Sequence, residues 1–428
     1  VLLPLPLLSL VIVDEEHENS FKQADSAPRY HGRDTAVMLA ALCGAKTLLG
    51  SATPSVESYF NAATGKYGLV TLAERYGGAV LPRVIVSDTL RAAKRGEKRS
   101  HFNKVLLDRI GEALQAGSQA ILFQNRRGFS PYVECGHCGW TANCPDCNVS
   151  LTYHKSDGSL RCHYCGYRIP VPAVCPSCGT GSLLPRGFGT EKIEQELAAI
   201  FPEAAIDRLD ADTSQSAGGY RRIVEAFEQG RTDILIGTQI VTKGFDFGGV
   251  SLVGILNADN LLNYPDFRAG ERAFQLMTQV GGRAGRRSEP GTVVIQTAQP
   301  QHPVIEQVLR GDYGAMVRSQ LAERRAFFYP PYCRLIAVVM RHRDKELLWR
   351  AAGAFAGSAR EVFGRRLLGP EAPPVDRIRG RFLVRFLLKI ERQSPSAEAK
   401  RLLQELFDRL HARTEFRSVE DAADVDPM

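Results

Sequence analysis

The feature that most constrains this 428-residue chain is a cysteine-rich stretch between residues 135 and 178. Eight of the ten cysteines form four Cys-x-x-Cys pairs there: Cys135 and Cys138, Cys144 and Cys147, Cys162 and Cys165, and Cys175 and Cys178. Each pair places two thiolates on one tight turn, which is half of a tetrahedral zinc shell. Four pairs therefore predict two closed four-sulfur zinc sites. Such sites are structural, because a catalytic zinc keeps one position open for water.

The pattern alone leaves the grouping of the pairs open, although the spacing favours one arrangement. The gap from Cys147 to Cys162 is close to the loop length of zinc ribbons, which favours an inner site nested within an outer one. A disulfide framework or a redox Cys-x-x-Cys is the alternative, and both are disfavoured by the lack of a signal peptide in a chain expected to be cytoplasmic. His137, His154 and His163 are interpreted as loop residues rather than ligands.

Composition places the chain among ordinary globular proteins. Hydrophobic residues make up 44% and charged residues 24%, and the length suits about two to four domains. No apolar run is long enough to span a membrane. The net charge of +7 is a weak indication of a nucleic-acid partner. The first residue is Val rather than Met, so we expect a piece of a longer protein.

An acidic cluster follows the first β-prone run. Residues 7–13 predict a strand of a parallel sheet covered on both faces. The cluster itself is Asp14, Glu15, Glu16 and His17, at the strand end where open α/β sheets bind ligands. In nucleotide hydrolases the first acid there holds Mg²⁺ and the next orients the attacking water. A charged cap on a buried strand is the simpler alternative.

Two segments after the acidic cluster point toward nucleic acid and nucleotide. In the first, aromatic and cationic residues alternate, as in loops that bind single strands: Phe21, Lys22, Arg29, Tyr30, His31 and Arg33. In the second, residues 50–55, small residues flank hydroxyl groups that can relay the state of a phosphate site. A strand-to-helix turn with an N-cap would have a similar sequence.

An alternating β/α pattern runs on both sides of the cysteine-rich stretch. A helix at 103–116 and a strand at 119–123 precede it. After it come a helix at 191–200, a strand at 205–209, a helix at 219–229 and a strand at 233–236. The zinc module is therefore expected to interrupt one α/β lobe.

Two Gly- and Arg-containing segments follow in this lobe. They are residues 237–247, with Thr238, Gln239 and Lys243, and residues 279–286, with Gln279, Arg283 and Arg286. Arginines spaced Arg-x-x-Arg suit a site where phosphate charge is neutralised. Taken alone, such Gly/Arg-rich sequence is more often a surface turn.

The order of these segments, together with residues 121–128, which end in Gln124-Asn125-Arg126-Arg127-Gly128, resembles motifs II to VI of the two-lobed helicases of superfamily two. With the eight-cysteine insert, the chain resembles the PriA (primosomal protein N′) family of bacterial replication-restart helicases. The resemblance implies an α/β fold with two RecA-like lobes, the first of them partial, a two-zinc module within the second, and an α+β C-terminal domain. The expected ranges are 1–75 for the first lobe, 76–100 for the interlobe linker, 101–130 and 186–320 for the second lobe, 131–185 for the zinc insert and 321–428 for the C-terminal domain.

The resemblance also implies roles for individual residues. Asp14 would bind Mg²⁺ through water, Glu15 would position the hydrolytic water, and Arg283 and Arg286 would act as arginine fingers. His17, Thr53 and Gln279 would complete the ATP site. Residues in contact with DNA or coupled to it would be Phe21, Lys22, Arg29, Tyr30, Arg33, Thr238, Gln239 and Lys243. The outer zinc would be held by Cys135, Cys138, Cys175 and Cys178, and the inner zinc by Cys144, Cys147, Cys162 and Cys165.

The implied activity is an ATP-dependent 3′-to-5′ DNA helicase that remodels stalled forks. Its implied cofactors are ATP, Mg²⁺ and two Zn²⁺, and its partners are single-stranded and forked DNA, primosome proteins, single-strand binding protein and the replicative helicase. We expect a monomer without membrane association. One departure is the lack of any Gly-x-x-x-x-Gly-Lys-Ser/Thr sequence, so this chain alone is expected to be inactive. A zinc adaptor with relic motor motifs and an RNA helicase are the alternatives.

Overall fold

The computed structural model describes residues 7–23, 28–72, 81–124, 132–147, 149–154, 157–186, 190–210, 217–238, 247–285 and 290–428. The chain divides into two compact units. The first unit comprises Val1–Val70, His163–Tyr167 and Val317–Met428, and the second comprises Thr71–Cys162 and Arg168–Met316.

Helices and strands alternate through much of the described chain. The strands are β1 (Leu10–Val13), β2 (Lys46–Leu49), β3 (Arg83–Asp88), β4 (Lys98–Arg99), β5 (Phe102–Asn103), β6 (Gln119–Phe123), β7 (Tyr132–Cys135), β8 (Thr152–His154), β9 (Ser159–Arg161), β10 (Arg168–Pro170), β11 (Leu183–Arg186), β12 (Ile206–Leu209), β13 (Ile234–Gly237), β14 (Val250–Ile255), β15 (Thr292–Thr297), β16 (Cys333–His342), β17 (Leu367–Glu371), β18 (Arg377–Ile378), β19 (Arg381–Glu391) and β20 (Glu420–Val425). The α-helices are α1 (Gly32–Leu42), α2 (Val56–Ala63), α3 (Thr89–Lys94), α4 (Lys104–Gln115), α5 (Thr190–Ile200), α6 (Ala217–Glu228), α7 (Asp259–Leu262), α8 (Ala269–Gly281), α9 (Pro303–Arg310), α10 (Tyr313–Ala326), α11 (Lys345–Phe363) and α12 (Ser396–His411).

The second unit is built on a parallel six-stranded sheet with strand order β12, β13, β6, β14, β15, β3. Every residue of β6 and β13 is buried, as an apolar strand covered by helices on both faces requires. Apolar residues of α4 and α5, including Leu106, Ile110 and Ile193, pack with these strands in one core. The predicted α/β lobe, interrupted in sequence by the zinc module, is confirmed.

The edge of this sheet contains a strand that the sequence analysis assigned to a connection. β3 lies within residues 76–100, the expected linker, and pairs in parallel with β15 from Arg83 to Asp88. The neighbouring β15 supplies the hydrogen-bonding edge that turns this short run into part of the sheet. The other domain boundaries remain predictions.

The cysteine-rich stretch forms small antiparallel sheets. β7 pairs with β11, so the two ends of the stretch run side by side. β8, β9 and β10 form a three-stranded sheet between them. The short strands are consistent with a module held by its cysteines rather than by a large apolar core.

In the first unit β1 pairs in parallel with β2, and α1 packs against both strands. The prediction that β1 is covered on both faces is wrong for the described residues. Val13 is buried, whereas Leu10 and Ile12 are 52% and 62% exposed. Successive side chains of a strand point to opposite faces, and the described elements cover one of the two.

The C-terminal part of the first unit is an antiparallel sheet with strand order β17, β19, β16, β20, and β18 adds to β19. The helices α11 and α12 bury apolar residues such as Phe355, Leu403 and Phe407 against it. In this region the sequence pattern predicts helices at about 345–363 and 397–413 and β-prone runs at 335–341 and 382–390, and the structure has α11, α12, β16 and β19 there. Among the described residues no helix is both long and apolar enough to cross a bilayer.

Candidate functional site

The eight paired cysteines come together as two clusters of four. Cys135, Cys138, Cys175 and Cys178 form the outer cluster, and Cys144, Cys147, Cys162 and Cys165 form the inner cluster. Within each cluster the sulfur atoms lie within 4.8 Å of one another. This is the nested arrangement that the spacing favoured. The histidines among the cysteines are not part of either cluster.

The sulfur spacing fits zinc rather than disulfides. Cys135 Sγ lies 3.6 Å from Cys178 Sγ, and Cys138 Sγ lies 3.7 Å from Cys175 Sγ. Sulfurs at about 2.3 Å from a tetrahedral zinc lie roughly 3.8 Å apart. A disulfide needs a separation of about 2.05 Å. None of these eight cysteines forms a disulfide within the part of the chain that the structure describes.

Protonation in the outer cluster also fits a bound cation. Burial opposes ionisation of Cys135, but hydrogen bonds from the Thr180 hydroxyl and from backbone N–H groups outweigh it and lower the Cys135 pKa to about 6. Burial raises the pKa of Cys138 to about 12, and its sulfur neighbours contribute in the same direction. The two thiols therefore favour opposite protonation states, and a zinc ion between them would stabilise the thiolate form of both.

The turn that carries Cys135 and Cys138 is anchored on the second lobe. Thr141 Oγ1 donates a 3.1 Å hydrogen bond to Asn263 Oδ1, just after α7. Gly139 has a φ of +75°, and a Cβ atom there would lie 2.7 Å from the carbonyl oxygen of Ala298, just after β15. Ala298 lies at the carboxyl end of a parallel strand, the edge where α/β sheets bind ligands.

The acidic cluster forms a turn after β1. Glu15 adopts a left-handed φ of 47°, and its N–H donates to Asp14 Oδ1 at 2.9 Å. The carboxylates of Asp14 and Glu15 reach solvent. His17 Nδ1 lies 2.7 Å from Ser51 Oγ, which also accepts the Thr53 N–H. The turn therefore presents two solvent-accessible carboxylates and ties the fourth residue of the cluster to residues 50–55.

Glu16 is a site residue that the sequence analysis did not single out. It is 2% exposed, and its carboxylate accepts hydrogen bonds from Arg33 Nη1 (2.7 Å), the Ser55 N–H (2.6 Å) and the Ser58 hydroxyl (2.8 Å). Burial opposes the charge of Arg33, yet the carboxylates of Asp34 and Glu16 outweigh it and raise the Arg33 pKa. Glu16 therefore joins the acidic cluster, the loop after it and the start of α2. In the sequence, the one indication of a role for Glu16 was its position directly after Asp14 and Glu15.

The loop of alternating aromatic and cationic residues is a hairpin in its described part. Lys22 forms a β-bridge with His31, and the Gln23 N–H donates to the Tyr30 carbonyl at 3.0 Å. The Phe21 and His31 rings lie 6.3 Å apart between centroids. Lys22 is buried and ion-paired with Asp424, so its ammonium group is engaged by protein. Arg29 and Tyr30 are half-buried.

The remaining predicted site residues lie in the second unit. Thr238 is buried directly after β13, Gln279 is on α8, and Arg283 is half-buried in the turn after α8. Gln239, Lys243 and Arg286 lie outside the described residues.

Three parts of the chain match known families. Residues 144–170 match the PriA DNA helicase Cys-rich region (CRR) domain, and residues 189–288 match the helicase conserved C-terminal domain. Residues 325–428 match the primosomal protein N C-terminal domain. Nearly the whole chain, 99% of it, is 38% identical to the replication restart protein PriA of Bacillus subtilis. The chain belongs to the PriA family. The family resemblance inferred from the motif order and the cysteine insert is thereby confirmed.

Other PriA proteins match over a similar range. The protein of Haemophilus influenzae is 38% identical over 98% of this chain, and that of Chlamydia trachomatis is 43% identical over 78% of it. The chain covers 52%, 57% and 45% of the Bacillus, Haemophilus and Chlamydia proteins, respectively. It therefore spans about half the length of the curated relatives that it matches.

Proposed function

We propose that this chain is part of an ATP-dependent 3′-to-5′ DNA helicase of replication restart, which remodels stalled or abandoned forks and promotes reloading of the replicative helicase. The observation that carries the proposal is the Glu16 network. It joins the acidic cluster to residues 50–55 and to the base of the hairpin loop, as a motor needs if nucleotide state and DNA contact are to affect one another.

The residues present fit part of an ATP and Mg²⁺ site. Asp14 and Glu15 offer solvent-accessible carboxylates at a strand end, and oxygen ligands of this kind suit Mg²⁺. Bound MgATP would supply the phosphoryl group whose hydrolysis drives movement. In the proposed assignment Asp14 holds the ion through water and Glu15 orients water. His17, Thr53 and Gln279 border the nucleotide, and Arg283 and Arg286 neutralise phosphate charge.

The proposed DNA contacts are revised by the hydrogen-bond pattern. Lys22 and Arg33 have their charges engaged by carboxylates, so we assign them to positioning of the loop rather than to phosphate binding. Phe21, Arg29 and Tyr30 remain proposed contacts for single-stranded DNA, because aromatic stacking and cationic contacts suit such a strand. Thr238, Gln239 and Lys243 remain proposed backbone contacts.

The remaining proposals concern the zinc module, partners and the isolated chain. Two Zn²⁺ ions would hold the module, whose exposed face would bind duplex DNA at the fork or a restart protein. Primosome proteins, single-strand binding protein and the replicative helicase are the proposed partners of a monomer working in the cytoplasm. Residues 1–428 contain no Gly-x-x-x-x-Gly-Lys-Ser/Thr sequence, so we propose that they do not by themselves hydrolyse ATP in response to DNA.

The test measures unwinding of forked DNA and DNA-stimulated ATP hydrolysis by the full-length protein, beside its Glu15→Gln variant and isolated residues 1–428. We expect unwinding by the full-length protein and a loss of about 100-fold or more in hydrolysis for Glu15→Gln. The isolated residues should show no DNA-stimulated hydrolysis. Unwinding that survives Glu15→Gln would overturn the role of Glu15. A full-length protein that binds forks without hydrolysing ATP would instead establish an adaptor.

A further inference from the structure

The ammonium group of Lys22 is held by the last strand of the C-terminal domain. Lys22 Nζ donates hydrogen bonds to the carbonyls of Val425 (2.8 Å) and Arg29 (3.0 Å). Asp424 Oδ1 lies 2.7 Å from Nζ and supplies the counter-charge. The Lys22 and Asp424 side chains are 4% and 17% exposed. An ion pair so shielded from water is screened far less than a surface pair.

The strand that holds Lys22 is a fixed part of its domain. β20 pairs with β16, with Asp424 opposite Ala337 and Val425 opposite Ile336. The Val425 side chain also packs against the apolar core formed by α11, α12 and the sheet. The Val425 carbonyl and the Asp424 carboxylate therefore have little freedom of their own, so that movement of β20 would move Lys22.

The held lysine lies at the base of the hairpin loop and is connected to Glu16. Lys22 bridges to His31, which is the N-cap residue of α1. Arg33 lies in the first turn of α1 and donates to Glu16 at 2.7 Å. A short continuous path of bonds thus leads from β20 through the base of the loop to the acidic cluster.

A second contact joins the same two regions independently. Ser55 caps α2, and its N–H donates to Glu16. In the first turn of α2, Glu57 Oε1 lies 3.3 Å from Nη1 of Arg324, which is 1% exposed. Farther along α2, the Phe60 ring meets the Tyr332 ring edge-on at 5.5 Å between centroids. The helix that begins at the Glu16 network therefore also rests on residues that lead into β16.

We propose that the C-terminal domain regulates the motor through these contacts, with Lys22 and Asp424 as positioning residues. This inference rests on the proposed function. β20 holds the base of the loop in the position in which Arg33 pairs with Glu16. Single-stranded DNA bound at the loop affects the acidic cluster only through this pairing. The C-terminal domain thereby sets how strongly single-stranded DNA stimulates ATP hydrolysis.

The experiment compares the full-length wild type with Asp424→Asn, Lys22→Gln, the double variant and a control, Glu420→Gln. Glu420 lies at the other end of β20 and pairs with Arg381 inside the same domain, so its substitution removes the same charge without touching the loop. The readouts are the hydrolysis rates with and without a saturating single-stranded oligonucleotide, the affinity for that oligonucleotide, and amide hydrogen exchange in residues 18–33.

We expect each single variant to lower the stimulation of hydrolysis by DNA about tenfold, in the range of ordinary coupling between sites. The rate without DNA should stay within about twofold of wild type, and exchange in residues 18–33 should rise. The double variant should be no worse than either single variant, because both remove one interaction. Glu420→Gln should match wild type in every readout.

Three results separate failure of this inference from failure of the proposed function. Wild-type stimulation in Asp424→Asn or Lys22→Gln, with faster exchange in residues 18–33, would overturn the coupling while leaving the helicase assignment intact. Unchanged exchange in both variants would overturn the anchoring itself. A wild type whose hydrolysis does not respond to DNA would overturn the proposed function, and the regulatory role with it. If Asp424→Asn fails to fold, Lys22→Gln decides, since glutamine keeps two N–H donors at this position without the charge.

Discussion

Glu16 is the most constrained carboxylate of the acidic cluster, because it is buried and every contact it makes is to a donor. Arg33, the Ser55 N–H and the hydroxyls of Ser55 and Ser58 all donate to its two oxygens. Glu15, its neighbour, is 45% exposed in its side chain. Two adjacent glutamates therefore have opposite environments, one suited to holding structure and the other to chemistry in water.

This difference predicts that replacing glutamate by glutamine has a large effect on stability at position 16 and a small one at position 15. Glu16→Gln replaces an acceptor oxygen with a donor and leaves the buried Arg33 short of a counter-charge, so we expect a loss of about 2–3 kcal/mol in the free energy of unfolding. Glu15→Gln should change that free energy by less than about 0.5 kcal/mol, because the Glu15 carboxylate reaches solvent. Urea unfolding of both variants measures this. Equal stabilities for Glu16→Gln and wild type would contradict the structural role of Glu16.

His31 makes stability depend on pH. Within the described residues neither ring nitrogen has a hydrogen-bond partner. Burial lowers the His31 pKa from 6.5 to about 4, the nearby charges of Arg33 and Lys22 also lower it, and Asp34 and Glu16 act in the opposite direction. The unfolded chain therefore takes up a proton between pH 6.5 and about 4 that the folded chain does not. This contribution to stability is complete above pH 6.5 and declines as the pH falls.

Between pH 7.5 and pH 5.5 we expect the free energy of unfolding to fall by about 1 kcal/mol more in wild type than in His31→Gln. This value is smaller than the pKa shift alone would give, because water near the ring screens the charge. Urea unfolding at the two pH values, with both proteins in the same buffers, measures the difference. The same loss in both proteins would show that other groups account for the acid sensitivity.

At the scale of elements, the zinc-binding turns share a backbone device. A glycine with positive φ follows the second cysteine of three pairs: Gly139 at +75°, Gly166 at +83° and Gly179 at +73°. Left-handed backbone is accessible to glycine at little cost and strains residues with a Cβ. The glycines differ in their surroundings. A Cβ atom at Gly139 would lie 2.7 Å from the Ala298 carbonyl oxygen, whereas a Cβ atom at Gly179 would have no neighbouring atom within 4 Å.

This difference offers a matched pair of substitutions. Gly179→Ala should cost about 1 kcal/mol, from backbone strain alone. Gly139→Ala should cost about 2–3 kcal/mol, because the new methyl group must also displace the backbone after β15. Hydrogen exchange should then increase at residues 257–263 and 298–299 in Gly139→Ala only. If the two variants behave alike, the contact between the outer turn and the second lobe does not contribute to stability.

At the scale of the whole molecule, metal and fold are linked in the cysteine-rich stretch. Its strands are short, and eight cysteines in two clusters offer metal ligands. Metal binding must therefore supply much of its folding free energy. The six-stranded sheet of the second unit has its own apolar core. The two parts should therefore respond differently to removal of zinc.

We expect metal analysis to find about two zinc ions per chain, and a strong chelator to unfold residues 132–186 while β6 and β13 keep their protection from hydrogen exchange. Mass spectrometry of the exchanged protein, before and after chelation and after zinc is restored, measures both. Iron in place of zinc, or simultaneous loss of protection in the sheet, would contradict this separation.

Local pattern in the sequence determined the parts of this protein that depend on neighbours in the chain. Cys-x-x-Cys spacing indicated two four-cysteine zinc sites and favoured their nested grouping, because each pair places two thiolates on one turn. Sequence pattern also indicated the helices α11 and α12, and runs of β-prone residues indicated β16 and β19, most of whose residues are buried. The order of the motifs indicated helicase superfamily two, and the eight-cysteine insert narrowed this to the PriA family.

Tertiary structure alone decided the pairings between distant segments. The polar run Glu420–Val425 is a strand only because β16 offers it an edge. β3 joins the second unit for the same reason, beside β15. Three consecutive acids look alike in sequence, yet the path of α2 makes Glu16 the buried one, and Lys22 finds Asp424 at the far end of the chain. Hydrogen-bonding edges and counter-charges are properties of neighbours in space, which residue spacing does not encode.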